Sequence, residues 1–522
     1  MSLFKNFVQV GVLTTGSRIL GFVRDALVAA VLGTGPAADA YLAAFRFPNL
    51  FRRLFAEGAF NTAFIPLFAK KLEQEGNDPA RLWAARIMSW LVLVVTLVTV
   101  LVEIFMPQVL APFLPGFLDD PEKYDLTVLL TRICFPYLMC MSLMAAYSAI
   151  LNGLNRFQAA AFAPILLNIV MIGFMAPLVL WPNSAVETAI WVSVGTLAGG
   201  VAQLALVYVA IKRAGFVPRL QWPRFDGEVK AFWIMAIPAI VAGGITQVNI
   251  FVGTIIASGK DAAIAYLYYA DRLYQLPLGI IGIAIGTVLL PELSRHLKGG
   301  RTEEAENAQK QSLLISMFLS MPATTALVAL ATPIVSVLFE RGAFGPIDTL
   351  ETAATLVWFS AGLPAYVLVR VLQPGFFARE DTRTPTYFAF ISVIINIVLS
   401  LALFPTLAHA GIAIATSVSA WANVLLLGWG LRRRGHFSLS PGEWRQHSLI
   451  IVISVLMAGV IWLLAQPLRP WLASSAPLVL QLVALGGLVS FGLALYFGLA
   501  HVSGAQKLDV LLSRLRRRPA KG

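Results

Sequence analysis

Between Gly16 and Phe68 the chain carries Arg18, Arg24, Asp25, Asp39, Arg46, Arg52, Arg53 and Glu57, in sequence otherwise apolar enough for two membrane-length helices. Each charge held in hydrocarbon costs roughly 2.5–3.5 kcal/mol on insertion scales, so such residues face a bundle interior or a wet cavity. Asp271, Arg272 and Arg370 sit in similar surroundings farther along. Arginine offers a planar fork of donors that matches phosphate oxygens in pairs, which the point charge of lysine does not. Across the membrane segments Arg18, Arg24, Arg46, Arg52, Arg53, Arg132, Arg272 and Arg370 outnumber Asp25, Asp39, Glu57, Glu103 and Asp271. Buried ion pairs that hold helices together would account for single residues, such as Arg24 beside Asp25. They leave the cationic surplus unexplained, and a diphosphate or multi-carboxylate ligand fits it.

Spacing narrows the geometry. Asp39, Arg46 and Arg53 recur every seven residues and share a face on an unbroken helix. Arg53 and Glu57 form an i,i+4 pair, and Arg18 and Asp25 share a face of the first helix. Pro48 and Asn49 leave open whether Arg52 or Arg53 faces a cavity. Other chemistries find no support. The Gly33-Thr34-Gly35 run reads as a turn, no GxxxxGK[ST] loop occurs, and nucleotide hydrolysis is not expected. The five histidines form no paired ligand set, so no metal is expected. Cys134 and Cys140 point to different sides of one predicted helix and read as structural thiols rather than a disulfide. Tyr266, Tyr268 and Tyr269 read as a sugar-stacking platform or, more commonly, an interfacial anchor. Asn168, Asn249 and Asn396 read as interhelical hydrogen-bonding groups before cation ligands.

The elements that position these residues follow from composition. Of 522 residues, 58% are hydrophobic and 13% charged, against about 25% charged in soluble domains. The class is an all-α polytopic membrane protein, and the net charge of +12 reflects membrane topology rather than nucleic-acid binding. Apolar runs predict about fourteen helices, near 6–32, 37–69, 83–107, 125–153, 158–181, 186–212, 228–257, 262–293, 309–338, 349–378, 384–404, 411–432, 446–465 and 474–500. The run after Lys5 is too long for a signal peptide and meets no small-residue cleavage site, so it is expected to remain as an anchor. With an even count both termini share one side, whose loops and tails hold about 27 Lys and Arg. The other side holds Lys123, Lys260, Arg341 and Arg469, so the basic side, with both termini, is predicted to be cytoplasmic. Lys123 and the acidic Asp119, Asp120 and Glu122 then fall in an outer loop. Interruptions are expected at Phe47-Pro48-Asn49, Leu276-Pro277-Leu278 and Pro374-Gly375, as where transporter backbone lines a cavity.

A shift of about 225 residues lays Ala40-Tyr41 on Ala265-Tyr266, Thr62 on Thr287, Pro66 on Pro291 and Leu72 on Leu297. AIKRAG at 210–215 likewise matches GLRRRG at 430–435, each closing a six-helix set. The even count gives both sets one orientation, a parallel repeat. The predicted organisation is an N-terminal lobe at 1–215, a C-terminal lobe at 228–435, two extra helices at 445–502 and a basic tail at 503–522. Charge does not follow the repeat: Arg52, Arg53 and Glu57 fall on Pro277, Leu278 and Gly282, while Arg272 falls on Phe47.

The strings GSRILGFVRDALVA, DAYLAAFRFPNLFRRLFAEGAF, YYADRLYQLPLG and LQPGFFAREDTRTP resemble the bacterial lipid II flippase family (MurJ, formerly MviN) across helices one to twelve. The resemblance implies a fold of the multidrug/oligosaccharidyl-lipid/polysaccharide exporter type, with two six-helix lobes around a central cavity and two extra helices forming a lipid-tail groove. It implies transport, without an enzyme's chemistry, of undecaprenyl-diphosphate-linked disaccharide-pentapeptide from the cytoplasmic to the periplasmic leaflet of the inner membrane. The positions matching the family's cavity are Arg18, Arg24, Asp39, Arg52 and Arg272, with Asn49, Arg53, Glu57 and Asp271 nearby. Lipid II and membrane lipids are the implied partners, together with other cell-wall synthesis proteins. No cofactor is implied; the membrane potential is the expected driving force. Some members bind sodium through acidic residues, but comparable segments here offer only Asn249 and Asn396, so sodium coupling is not expected. Gln275 stands where some members carry an acidic residue, which argues against a carboxylate switch there. Competing readings are an exporter of polysaccharides or drugs with the same fold, a prenyl-diphosphate enzyme and a non-transporting scaffold. Drugs are usually cations, which this charge would repel. The enzyme needs clustered carboxylates for magnesium near the membrane face, and the acidic doublet Asp119-Asp120 falls on the outer side in a loop. The scaffold leaves the arginines without a role.

Overall fold

The computed structural model describes residues 3–52, 61–181 and 183–505, and every regular element among them is helical. In chain order these are α1 (Leu3–Leu32), α2 (Pro36–Arg52), α3 (Asn61–Glu75), α4 (Asn77–Ile104), α5 (Met106–Leu110), α6 (Pro121–Cys134), α7 (Tyr137–Gly153), α8 (Gln158–Leu180) and α9 (Ala185–Arg213). They continue with α10 (Gly227–Ala257), α11 (Ala263–Lys298), α12 (Thr302–Ala329), α13 (Ala331–Phe339), α14 (Pro346–Phe377), α15 (Arg383–Arg433), α16 (Pro441–Ala465), α17 (Arg469–Leu472) and α18 (Leu478–Val502). Among the described residues nine helical spans are long and apolar enough to cross a membrane, the 51-residue α15 counted once. Ala408, at φ 48° and ψ −133°, breaks α15 into two segments, in the gap predicted between 404 and 411.

The expected proline interruptions do not occur. Pro48, Pro277 and Pro374 all lie inside continuous helices. A proline removes one backbone hydrogen bond, and in membrane helices neighbouring groups can re-satisfy the freed carbonyl without ending the helix. The two matched strings AIKRAG and GLRRRG do share one local geometry. α9 and α15 each end in a glycine at φ +68°, Gly215 and Gly435. Phe216 N–H then donates to Ile211 O at 3.3 Å, and His436 N–H to Leu431 O at 3.0 Å. This is the six-to-one closure that a left-handed glycine permits at a helix C-terminus, made twice by KRAG and RRRG.

By its contacts the chain forms two compact units, Met1–Ala265 with Gly342–Phe344, and Tyr266–Arg341 with Gly345–Gly522. In the first, small residues admit close helix contact: a Cβ on Gly199 would meet Leu167, and one on Gly200 would meet Tyr137. The start of α10, which the repeat counts with the second half, is tied here by polar bonds. Lys71 pairs with Glu228, and Arg86 Nη1 reaches Asp226 at 3.0 Å and Glu228 at 3.2 Å. In the second unit, α16 and α18 dock on α12. Thr325 Oγ1 donates to Ser454 O at 3.0 Å, and the buried Tyr496 hydroxyl donates to Phe318 O at 2.8 Å.

Candidate functional site

Seven of the nine singled-out residues fall on described helices. Arg18, Arg24, Asp39, Asn49 and Arg52 lie in the first unit, Asp271 and Arg272 in the second. Arg53 and Glu57 lie outside the described residues, so their expected pairing does too. Arg52 is the last residue of α2.

On α1, Arg18 is exposed while Arg24 and Asp25 are buried, at 9% and 3%. The Arg24 Nε and Nη2 both donate to Asp25 Oδ1, at 3.1 and 2.7 Å. Its remaining Nη1 donates to Asn168 Oδ1 on α8 at 3.0 Å. Asn168 in turn donates through Nδ2 to the Ser17 carbonyl at 3.0 Å. One amide thus orients the arginine and fixes α1 against α8, the interhelical role read from sequence. The charge of Arg24 is compensated where it stands, and a buried pair of this kind needs such additional hydrogen bonds to offset its desolvation.

Asp39 is held by a lysine of another helix. Its carboxylate, wholly buried, accepts from Lys123 Nζ at 3.0 Å and from the backbone N–H groups of Ala262 at 2.8 Å and Ala265 at 3.0 Å. The last two are orphan donors at the start of α11, where a helix end favours negative charge. Lys123 also reaches Asp261 at 2.7 Å and lies 4.2 Å from the centre of the Phe117 ring. Lys123 is therefore a buried first-turn residue of α6, not an exposed residue of an outer loop. Asp120 caps that helix by accepting from Lys123 N, so the acidic run folds locally while the lysine turns inward. Sequence reasoning missed Lys123; its signal was a lone lysine inside an acidic stretch. Arg46 donates to Thr254 Oγ1 at 3.0 Å, and Asn49 donates to the Phe45 carbonyl at 2.7 Å.

In the second unit Tyr266, Tyr268 and Tyr269 are all buried, as neither a sugar platform nor an interfacial anchor would be. Tyr266 donates to Asp348 Oδ1 at 3.2 Å and packs on His409, ring centres 4.7 Å apart. His409 Nε2 lies 3.1 Å from Glu351 Oε2. That histidine, read from sequence as one of a scattered set, is buried beside the break at Ala408. Tyr269 packs on Phe339 with centroids 5.3 Å apart. Arg272 lies over the Tyr268 ring, Cζ 4.7 Å from its centre, and donates from Nη2 to the Tyr268 hydroxyl at 3.2 Å. Gln275 donates to Asp271 one helical turn away.

Among the described residues no group of three His, Cys, Asp or Glu is placed to hold a metal ion. Asn396 accepts from Ser400 and Thr416, both at 3.5 Å. Cys134 is buried and neither cysteine is in a disulfide. The side chains present are thus fitted to hold guanidinium groups in fixed orientations inside apolar helices.

Comparison with known proteins gives the family and the fold. Residues 28–481 match the family model described as Lipid II flippase MurJ. The chain is 48% identical over 522 residues to a probable lipid II flippase MurJ of Rhizobium tropici, covering 100% of this chain and 98% of that one. It is 32% identical to the lipid II flippase MurJ of Burkholderia cenocepacia, over 97% and 98% of the two chains. A solved lipid II flippase MurJ in an inward closed conformation superposes with a TM-score of 0.76 at 26% identity, over 95% and 98% of the chains. An inward-facing multidrug resistance MATE transporter of the MOP superfamily shares the fold, with a TM-score of 0.66 at 15% identity over 81% and 98%.

Proposed function

The chain belongs to the MurJ lipid II flippase family, and from that premise we propose that it carries undecaprenyl-diphosphate-linked disaccharide-pentapeptide from the cytoplasmic to the periplasmic leaflet. The observation that carries the mechanism is the orientation of arginines within otherwise apolar helices: Arg24 held by Asp25 and Asn168, Arg272 by Tyr268. A diphosphate between such guanidiniums accepts paired, charge-assisted hydrogen bonds, stronger than neutral ones by about twofold. Arg18, Arg24, Arg52 and Arg272 hold the headgroup in a central cationic cavity, with Arg53, Asn49, Glu57 and Asp271 beside it. The prenyl chain stays in lipid along α16 and α18.

Alternating access then exposes the headgroup to the outer side, with both termini cytoplasmic. No bond is made or broken, so the protein acts as a transporter without nucleotide hydrolysis or cofactor. The membrane potential supplies the direction, since moving an anion outward is favoured by about 2.3 kcal/mol per charge per 100 mV. Asp39 is fully engaged with Lys123 and two backbone amides. It therefore acts on the headgroup only in a state where those bonds are released. Depleting the protein in its own cell should trap the lipid-linked precursor in the inner leaflet, restored by wild type but not by Arg52→Ala. Normal leaflet distribution on depletion would reject the substrate; restoration by a folded Arg52→Ala protein would reject the cationic site.

A further inference from the structure

The substrate reading gives Arg272 a headgroup to hold but does not explain what aims it. We infer that Tyr268 is a positioning residue for Arg272, presenting the guanidinium as a fixed two-sided fork. The inference rests on the reading of Arg272 as a diphosphate-binding residue.

Three observations carry it. The guanidinium lies over the Tyr268 ring, Cζ 4.7 Å from its centre, within the range of a cation–π contact. Its Nη2 also donates to the hydroxyl of the same tyrosine at 3.2 Å. The ring contact and the hydrogen bond, both made to one residue, together leave few orientations open to a side chain otherwise rich in rotamers. Tyr268 itself is immobilised. It is 6% exposed and meets Tyr269 edge-on at 5.6 Å, and Tyr269 is fully buried against Phe339 of α13 at 5.3 Å. The chain Phe339–Tyr269–Tyr268–Arg272 thus transmits the rigidity of a packed core to the guanidinium.

The spacing adds a further property. Residues 268 and 272 are i and i+4 on α11, neighbours on one helix face. The arginine's aim is set within a single helix and survives any movement of that helix as a body. A transporter that exposes one headgroup site to two sides needs a ligand whose aim persists between states. A lysine at 272 would lose both devices, because an ammonium has no plane to stack and no fork to divide between a hydroxyl and a phosphate.

The test uses the full chain in nanodiscs, with lipid II as probe and a thermal melt for every variant. Tyr268→Phe keeps the stack and loses the hydroxyl; Tyr268→Leu loses both. We expect lipid II affinity to fall about threefold and about tenfold respectively, the scale of a lost hydrogen bond and of a partly desolvated cation–π contact with it. Arg272→Lys should bind as weakly as Arg272→Ala, and Tyr268→Leu should weaken binding no further in the Arg272→Ala background. An equal loss in both backgrounds would mean that Tyr268 acts through the fold alone, and full affinity in a folded Tyr268→Phe protein would remove the hydroxyl's part; either overturns the inference. Undiminished lipid II binding by Arg272→Ala itself would instead overturn the substrate role of Arg272, the separate premise. Should Tyr268→Leu fail to fold, Tyr268→Phe and Arg272→Lys still decide the question.

Discussion

Arg24 and Arg272 are both arginines in membrane helices, and the protein holds them by opposite means. Arg24 is buried beside a carboxylate, two of its nitrogens bonded to one oxygen of Asp25 and the third to an amide on another helix. Arg272 is less buried, lies across an aromatic face and shares its own helix with that partner. A carboxylate cancels the charge it orients, whereas a tyrosine orients a guanidinium and leaves its charge in place. The first arrangement stabilises the packing of α1 on α8 and lends its charge only in part. The second orients a guanidinium through a ring and a hydroxyl of its own helix.

The largest test of that difference is Asp25→Asn. Removing the carboxylate leaves Arg24 a buried cation without its counter-ion, and breaking a buried pair from one side costs about 3–5 kcal/mol. A melt of the purified protein should fall steeply, and Asn168→Leu should fall less because it keeps the ion pair. Stability within about 1 kcal/mol of wild type for Asp25→Asn would show that water already reaches Arg24, which would erase the contrast.

Arg272→Ala should reverse the pattern. The loss of one partly exposed side chain lying on a tyrosine costs about 0.5–1 kcal/mol of stability, so the melt should barely move. Lipid II affinity should fall by about tenfold to a hundredfold, the value of hydrogen bonds to a charged group. A melt as damaged as that of Asp25→Asn would make Arg272 a structural residue.

How much of this was legible beforehand depends on sequence distance. Arg24 beside Asp25 could be read as a pair that folds charge away, and Asn168 as an interhelical bond, because adjacent residues and a lone polar group in an apolar helix constrain their own options. The matching ends of α9 and α15 were equally visible, since KRAG and RRRG encode a local turn. Lys123 was not. Its partners Asp39 and Asp261 lie 84 and 138 residues away, and its own neighbours Asp120 and Glu122 argued for an exposed loop. Pro48, Pro277 and Pro374 misled for a related reason: a local rule says break, and tertiary surroundings keep the helix. The orientation of Arg272 was half legible, because YYADR shows the i,i+4 spacing but not which tyrosine is locked from behind.

A third arginine sharpens the comparison at the smallest scale. Arg370 on α14 lies against Gly282 of α11, where an added Cβ would come within 2.5 Å of Nη1. Gly282 is also the position that the repeat matches to Glu57, so one half carries a carboxylate where the other has empty space for a guanidinium. The atoms met are the far end of a flexible side chain, which can swing aside without moving backbone. Gly282→Ala should therefore cost less than about 1 kcal/mol, partly offset by alanine's better helix propensity. Gly282→Glu would recreate the missing carboxylate beside Arg370, a charge arrangement closer to that of Arg24 and Asp25. If compensation by a carboxylate is what separates scaffold from ligand-binding arginines, Gly282→Glu should hold or raise the melt while lowering lipid II affinity, whereas Gly282→Ala changes neither. Loss of affinity in both variants to the same extent would mean that the space over Gly282, rather than the charge of Arg370, is what the substrate uses.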